Sequence, residues 1–527
     1  MEKLKKLETM IKDGKLTRRQ FIAATTAIGM SATLSSSLFN NKAWANTPKK
    51  GGLFRIGIDG GSAHDSSDPS LLIRPFMINI MYGQTHNNLA EVDASGNIVP
   101  ELAESWETTE GAKKWIFKLR KGVEFHSGKT LDAKDVIHSI NHHIGEKSKS
   151  PAKSFLKDLE SIKEDDKYTV IFELKNGNAD FPAFMTDYHL LIEPNGSKFD
   201  KFDGTGGYII KEFKPGSHAI TVRNPNYFKK GFAHFDEIKT LSINESISRI
   251  NALRTGAVDA VNKVEKKLAN KVENIPGIKL IEVESGQHFN ELMQVDAGPF
   301  TDKNIRLAVK YAIDREQSVK LILGNHGYVG NDHPIGKNNR YFNSDLKQRV
   351  YDPDKAKFYL KKAGVGKLDL ELYSSVAAFP GAVDHAQLYK ENAAKANINI
   401  KIKQVPGDGY EEKIWSKVPF CQGWWNPRIT ADMMFTLVYA STAPWNETNF
   451  NNERFDKLLL EARVELDENK RKEMYGEMQK IVRDEDGHVT TMFSNFLCAA
   501  SDKIKYGKIG TNWPFDSDKC GERWWFA

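Results

Sequence analysis

The sequence lacks a long hydrophobic run after residue 45, and it contains only three cysteines in 527 residues. Without a later apolar run of about 20 residues, the body of the chain is not expected to cross a membrane as a helix. Cys421, Cys498 and Cys520 allow at most one internal disulfide and leave one free thiol. Cys498 and Cys520 are the easier pair to join, but three reduced and buried thiols are an equally good interpretation.

The sequence also lacks a strong charge excess outside its N-terminus. The formal net charge is +6, and residues 1–45 carry eight Lys or Arg against three acidic residues. The remaining chain is therefore close to neutral, which gives no electrostatic basis for binding nucleic acid or an anionic membrane surface. Nucleic acid is not an expected partner.

Catalytic and metal-binding motifs are missing as well. The segment Gly122–Thr130 has five residues between its glycines, whereas a phosphate-binding loop needs four. His138 and His142 lie four residues apart on a predicted helix, but Ser139 stands where a metalloprotease has its glutamate. Surface or packed histidines are the better interpretation, and no cofactor or metal is expected.

The first 45 residues have the pattern of an export signal. Thr17–Ile22 contains the twin arginine followed by an apolar pair, and a stretch rich in Ala, Ser and Thr follows it. Ala43 and Ala45 supply the small residues that a signal peptidase reads. The pattern predicts a twin-arginine signal peptide over residues 1–45, cleaved near Ala45, and a periplasmic mature protein. An N-terminal amphipathic helix is the alternative.

The rest of the chain mixes strand and helix patterns. Apolar and polar residues alternate in Trp115–Arg120, whereas Asp135–Ile144 has helical spacing. Asp302 is placed to cap another helix. Leucines at 368–372 and isoleucines at 398–402 predict two strands with a helix between them. This succession favours an α/β fold with parallel pairing.

A series of short motifs runs in order along nearly the whole mature chain. They are Gly51–Ile56, Asp68–Pro69, Asn97–Trp106, Gly122–Lys129, Gly204–Tyr208, Asn224–Phe228, Gly256–Asp259, Asn304–Ala308, Ala312–Glu316 and Phe455–Leu459. Together they resemble the family 5 extracellular solute-binding proteins, the group that contains dipeptide, oligopeptide, nickel and opine binders. Any one motif is weak, but the collinear series is specific.

The resemblance implies an α/β, two-lobed periplasmic-binding-protein fold with an extra third domain (the cluster C type) and a ligand cleft between the lobes. Lobe I is expected to comprise residues 46–89, 208–285 and 495–527. The extra domain then covers 90–207 and lobe II covers 286–494. The implied partners are a small-molecule solute and the permease subunits of an ABC importer at the membrane, and the protein is expected to be a monomer.

The best candidate for the pocket is the segment Cys421–Arg428, which resembles the family's Gly-Trp stretch at the cleft. Peptide-binding members commonly follow that Trp with an acidic residue, but here the next carboxylate is Asp432. The departure argues against a plain peptide and favours an anionic ligand group paired with Arg428. A structural salt bridge between Arg428 and Asp432 is the alternative. Trp424 and Trp425 point to opposite sides of a strand, so only one is expected to reach the ligand.

Asp432 is also included in the predicted ligand-binding site, and four further residues complete it. They are Asn426 in the same segment, Asp65 in a Gly-rich loop, Tyr82 near the start of the extra domain, and Trp445 in a loop of lobe II. The predicted function is capture of a peptide, or of a peptide-like or opine-like small solute, in the cleft between the lobes and its delivery to a membrane permease. A periplasmic enzyme that uses the same cleft, and a chaperone-like protein whose cleft serves a protein partner, are the alternatives.

Overall fold

The computed structural model describes residues 48–146 and 148–527, so the predicted signal peptide lies outside the described residues. The strands are β1 Leu53–Ile58, β2 Ala90–Val92, β3 Ile98–Pro100, β4 Ala103–Thr109, β5 Lys114–Leu119, β6 Leu159–Asp166, β7 Thr169–Leu174, β8 Tyr208–Lys214, β9 His218–Arg223, β10 Glu237–Ser242, β11 Ala260–Val261, β12 Ile278–Val283, β13 His288–Met293, β14 Gly327–Val329, β15 Leu368–Ser374, β16 Ile398–Gln404, β17 Phe420–Trp425, β18 His488–Ser494, β19 Phe496–Ser501, β20 Ile504–Lys505 and β21 Trp525–Phe526. The helices are α1 Pro75–Ile80, α2 Ala133–Ile144, α3 Phe181–Phe184, α4 Ser246–Arg254, α5 Ala269–Glu273, α6 Lys303–Tyr311, α7 Arg315–Ile322, α8 Pro353–Lys362, α9 Ala382–Ala394, α10 Tyr410–Lys413, α11 Ala431–Met434, α12 Glu453–Val464, α13 Glu468–Glu485 and α14 Cys520–Arg523.

Lobe I is the part of the molecule built on a seven-stranded sheet with the order β12-β19-β11-β1-β10-β9-β8. Strand β1 lies inside this sheet and runs parallel to both β10 and β11. Its Phe54 is fully buried, stacks on Phe235 at 4.3 Å and lies 6.4 Å from Trp524. The C-terminal Trp524 thus packs into the core of lobe I.

Lobe II is the part built on a six-stranded sheet with the order β14-β18-β13-β17-β15-β16. Strands β15 and β16 pair in parallel with α9 between them in the chain, which confirms the predicted strand–helix–strand unit. The side chain of Asp302 accepts a hydrogen bond from the backbone N–H of Asn304 at 2.7 Å, so it caps α6 as predicted.

The extra domain is the part built on a four-stranded antiparallel sheet with the order β4-β5-β7-β6. Helix α2 packs on this sheet, and its Val136 and Ile140 are fully buried. Phe117, Phe172 and Phe181 form the aromatic centre of the core, with ring centroids between 5.2 and 6.2 Å apart.

The chain passes between the sheets of lobe I and lobe II only twice among the described residues. One crossing is residues 284–287, between β12 and β13, and the other is Asn495, between β18 and β19. Two short crossings allow the lobes to turn relative to each other, because only a few residues have to change their backbone angles. The two-lobed α/β architecture is confirmed, whereas the exact domain limits given above stay predictions.

Two further observations concern the described residues as a set. None of their helices combines the length and the apolar character that a membrane span requires. All three cysteines are buried and free, so the structure contains no Cys498–Cys520 disulfide.

Candidate ligand-binding cleft

A cleft that is partly open to solvent lies where the three parts of the molecule meet, and its empty space together with the adjoining open solvent is about 700 Å³. Lobe II supplies most of its wall, through the loop 334–341 and the segment that follows β17. The extra domain and the C-terminal part of lobe I supply the opposite side. The lining residues are Val92, Gly96, Ile98, Ala183, Gly286, Pro334, Ile335, Gly336, Asn338, Asn339, Arg340, Tyr341, Pro427, Arg428, Ile429, Thr430, Ala431, Met434, Thr511 and Asn512.

Arg428 is the predicted site residue that lines this cleft. Its Nη1 donates to the carbonyl oxygens of Asn426 at 3.2 Å and Pro427 at 3.3 Å. Its guanidinium lies 5.2 Å from the ring of Trp425. Among the described residues, no carboxylate lies within ion-pairing distance of Arg428. Burial lowers the pKa of Arg428, and Tyr188 and Asp187 nearby act in the opposite direction.

The alternative of a salt bridge between Arg428 and Asp432 is wrong. Asp432 is buried and pairs with Arg463 instead, with an Oδ1–Nη2 distance of 3.0 Å. The reason is local geometry, because Asp432 lies in the first turn of α11, which directs it towards α12. Asp432 does not line the cleft, so the structure does not place it with Arg428.

The two tryptophans point to opposite sides of β17, as expected. Trp425 is 8% exposed and donates from Nε1 to Glu447 Oε2 at 2.8 Å, whereas Trp424 is 39% exposed. Trp445 is 45% exposed and lies 5.4 Å from the Trp425 ring. None of the three lines the cleft, but Trp425 supports the guanidinium of Arg428 from beneath. An arginine that stacks on an aromatic ring keeps its donors aimed in fixed directions.

The other predicted site residues contact neighbouring parts of the fold rather than the cleft. Asn426 Oδ1 accepts from Gln287 Nε2 at 3.0 Å, which fixes the start of the Arg428 loop at the crossing between the lobes. Asp65 accepts from two backbone N–H groups, at Ser62 and Gly216, and joins two loops of lobe I. Tyr82 is 4% exposed, and Lys519 lies over its ring at 4.1 Å. Neither Asp65 nor Tyr82 lines the cleft.

The buried polar groups behind Trp425 form a charged support. His488 lies between Asp486, at 2.5 Å, and Glu447, at 3.0 Å, and all three side chains are fully buried. Burial alone lowers the pKa of His488, but the two carboxylates raise it to about 9. In return the pKa of Asp486 is lowered to about 2 against the effect of burial, chiefly by His488. The histidine is therefore charged at neutral pH, and this fixes Glu447 under Trp425.

The sequence interpretation missed the lobe II loop that contains Arg340 and Tyr341. Its stretch Pro334–Tyr341 is rich in Gly, Pro and Asn, which indicates a loop, and loops of binding proteins commonly carry ligand contacts. Nothing local in that stretch shows that it faces Arg428. His138 and His142 are packed rather than ligating, because both stack on Phe199. No group of three or more His, Cys, Asp or Glu side chains within residues 48–146 and 148–527 is arranged to hold a metal ion.

Two lobes with a cleft between them occur in proteins that close around a ligand by a hinge, among them the periplasmic binding proteins. Comparison with known proteins agrees. The model of the bacterial extracellular solute-binding proteins, family 5, matches residues 97–447. The chain belongs to this family, whose members bind a solute outside the cytoplasm and deliver it to the permease of an ABC transporter.

Its relatives differ in the ligands that their names state. The chain is 25% identical to heme-binding protein A of Haemophilus influenzae over 489 residues, which cover 85% of this chain and 88% of that protein. It is 24% identical to a probable D,D-dipeptide-binding periplasmic protein of Escherichia coli over 469 residues, with 85% and 88% covered. The structure of HbpA2 from Haemophilus parasuis superposes with a TM-score of 0.79 at 20% identity, and the match covers 88% of this chain and 98% of that one.

Proposed function

We propose that this protein binds a small organic anion, peptide-like or opine-like, in the cleft at Arg428 and passes it to a permease without changing it chemically. The observation that carries the proposal is the half-buried guanidinium of Arg428 in the cleft wall, without a carboxylate at ion-pairing distance among the described residues. A partly desolvated arginine is strongly favoured to pair with a carboxylate or phosphate.

The charge of the cleft further restricts the chemical class of the ligand. Two arginines line the cleft, but Arg340 is already paired with Asp180 at 2.8 Å. One positive charge is therefore left to face a solute, which suits a single carboxylate. No Asp or Glu is among the lining residues, so the cleft offers no acidic partner to a free ammonium group. This distinguishes the proposed solute from an ordinary dipeptide, which carries both charges.

The lining also supports binding rather than catalysis. It contains no Asp, Glu, His, Cys or Lys, and these are the side chains that most often act as general acids, bases or nucleophiles. Export by the twin-arginine signal, with cleavage near Ala45, completes the proposal and rests on the sequence of residues 1–45.

The proposal is tested with four versions of one dipeptide, which differ only in charge. N-acetyl-Ala-Phe carries the carboxylate alone, Ala-Phe-amide the ammonium alone, Ala-Phe both, and N-acetyl-Ala-Phe-amide neither. A sugar–amino acid conjugate is added with and without its carboxylate. Calorimetry is expected to show binding by the ligands that carry only a carboxylate. Preference for Ala-Phe-amide or for the neutral version contradicts the proposal.

The role of Arg428 is tested with the ligand that binds most tightly in that set. Arg428→Ala is expected to weaken its binding by about tenfold or more, equivalent to about 1.4 kcal/mol. Arg454→Ala is the matched control, because Arg454 is an exposed arginine of the same lobe on α12. Equal affinity of wild type and a folded Arg428→Ala variant would rule out the assignment.

A further inference from the structure

Trp445 is an exposed tryptophan that packs on the same ring as Arg428. Its ring centroid lies 5.4 Å from that of Trp425, and the guanidinium of Arg428 lies 5.2 Å from the Trp425 ring. Trp425 is buried, whereas Trp445 is 45% exposed and presents much of its indole to solvent. Because both contact Trp425, Arg428 and Trp445 lie within the length of one small molecule of each other.

The loop that carries Trp445 is held in place by hydrogen bonds. The backbone N–H of Trp445 donates to the carbonyl oxygen of Leu437 at 3.1 Å. The side chain of Asn446 donates to the carbonyl oxygen of Phe450 at 2.7 Å and accepts from the backbone N–H of the same residue at 2.9 Å. The exposed indole is therefore carried by a fixed loop, so little conformational entropy is lost when a ligand packs on it.

The tryptophan on which Trp445 packs is fixed as well. Glu447 is fully buried and accepts from the indole N–H groups of Trp425, at 2.8 Å, and of Trp415. The charged His488 lies 3.0 Å from the Glu447 carboxylate and holds it there. Among the described residues, no group accepts from the indole N–H of Trp445. Trp445 is thus the exposed member of a cluster of three tryptophans whose other two members are anchored to one carboxylate.

The surroundings of Trp445 suit an aromatic ring better than a sugar. Ala443 and Pro444 precede it on the loop and carry no polar side-chain group. The side-chain amide of Asn446, which follows it, is committed to the backbone of Phe450. The hydroxyl groups of a sugar stacked there would find few hydrogen-bond partners, and unpaired polar groups are costly to desolvate. An aromatic ring has no such requirement and gains from stacking on the indole.

We propose that Trp445 is an aromatic subsite of the binding site: it stacks on an aromatic ring of the solute whose carboxylate is held by Arg428. This inference rests on the function proposed above and restricts the solute to peptide-like anions with an aromatic side chain. Trp425, Arg428 and Trp445 lie on β17 and in the segment that joins β17 to β18, within lobe II. Their arrangement therefore does not depend on the angle between the lobes.

Three ligands that carry the same single carboxylate test the ring contact: N-acetyl-Ala-Phe, N-acetyl-Ala-Ala and N-acetyl-Ala-cyclohexylalanine. Calorimetry is expected to show that wild type binds N-acetyl-Ala-Phe about tenfold more tightly than N-acetyl-Ala-Ala. The cyclohexyl ring is apolar but not aromatic, so its ligand is expected to fall between the two. In Trp445→Ala the ratio between the Phe and Ala ligands is expected to be close to one, whereas Trp445→Phe retains part of it.

Trp424→Ala is the matched control, because Trp424 is 39% exposed on the opposite face of β17 and is expected to leave the tenfold ratio unchanged. Equal affinity of wild type for the Phe and Ala ligands overturns the proposal. A ratio that survives in Trp445→Ala, or that is lost in Trp424→Ala, overturns it as well. If Trp445→Ala does not fold, Trp445→Leu, which keeps an apolar side chain against Trp425, replaces it and must show the same loss.

The ring and the charge of the solute are judged by separate comparisons. The ratio between the Phe and Ala ligands is measured again with their C-terminal amides, which carry no charge. A ratio that depends on Trp445 in both pairs, without preference for the acids, supports the aromatic subsite and contradicts the charge proposed for the solute. A preference for the acids without a ring ratio supports the charge and overturns the subsite. If none of the five ligands binds, both proposals are overturned.

Discussion

Lys229 lies at the centre of the buried charges that join the extra domain to lobe I. Its Nζ contacts Glu101 at 2.6 Å, Glu91 at 3.0 Å and Glu522 at 3.2 Å, and its side chain is 9% exposed. Burial lowers the pKa of Lys229, but the three carboxylates raise it well above its ordinary value. Replacement by methionine keeps most of the side-chain volume and removes the charge, so Lys229→Met isolates the electrostatic contribution.

The expected loss in the free energy of unfolding follows from Glu101, the most deeply buried partner of Lys229. Burial raises the pKa of Glu101, but Lys229 and Lys519 together lower it from 4.5 to about 2. Since a tenfold change in a protonation equilibrium is about 1.4 kcal/mol, the ionised Glu101 is stabilised by about 3 kcal/mol. Removing one partner of a buried ion pair costs about 3 to 5 kcal/mol, and because Lys519 remains beside Glu101 in the variant, the expected loss lies at the lower end, about 3 kcal/mol.

Urea unfolding near neutral pH measures this loss, with Lys230→Met as the control, because Lys230 is the exposed neighbour in the sequence. The pH dependence provides a second check. The folded-state pKa of Glu101 lies below the unfolded value of 4.5, so its stabilisation is present above pH 4.5 and is lost as the pH falls towards about 2. The difference between wild type and Lys229→Met must therefore shrink on acidification. The reasoning is refuted if wild type and Lys229→Met have the same free energy of unfolding near neutral pH, or if the difference between them stays constant in acid.

Two other predictions concern the buried titratable groups. His488 has a folded-state pKa of about 9 against an ordinary value of 6.5, so its stabilisation is present below pH 6.5 and is lost as the pH rises through about 9. Urea unfolding of wild type is expected to lose about 3 kcal/mol over that window, whereas His488→Gln shows no such loss; equal pH profiles contradict the assignment. Burial raises the pKa of Cys421 and of Cys498 to about 12, so the native thiols are expected to resist alkylation. All three cysteines are expected to react after unfolding without a reductant, and a single reactive thiol would show a disulfide instead.

The local elements were predictable because their signals are local. The alternation of Trp115–Arg120 and the spacing of Asp135–Ile144 correspond to β5 and α2, since side-chain periodicity decides which face a strand or helix buries. The parallel pairing of β15 and β16 followed from the helix between them. A run of four residues, Phe515–Asp518, shows the limit of this reasoning. All four have φ between 53° and 61°, and no glycine marks them.

That left-handed turn is held by contacts that no local pattern specifies. The side chain of Asp516 accepts from the backbone N–H of Gly510 at 2.7 Å and from Nε1 of Trp524 at 3.2 Å. Backbone strain of this kind persists only when the surrounding structure determines it.

The same distinction applies to the cleft: some of its features are predicted by a short segment, and others depend on residues that are far apart in the chain. Arg428 was predictable because it departs from a recognisable motif within one short segment. That Arg428 has no carboxylate partner among the described residues was not predictable. Asp432 lies only four residues away, but it pairs with Arg463 of another helix. Arg340 and Asp180 are 160 positions apart in the chain, and only the packing of the extra domain on lobe II brings them together. The sequence indicates which arginine to examine, while the folded arrangement shows that Arg340 is paired with Asp180 and that Arg428 has no carboxylate within ion-pairing distance among the described residues.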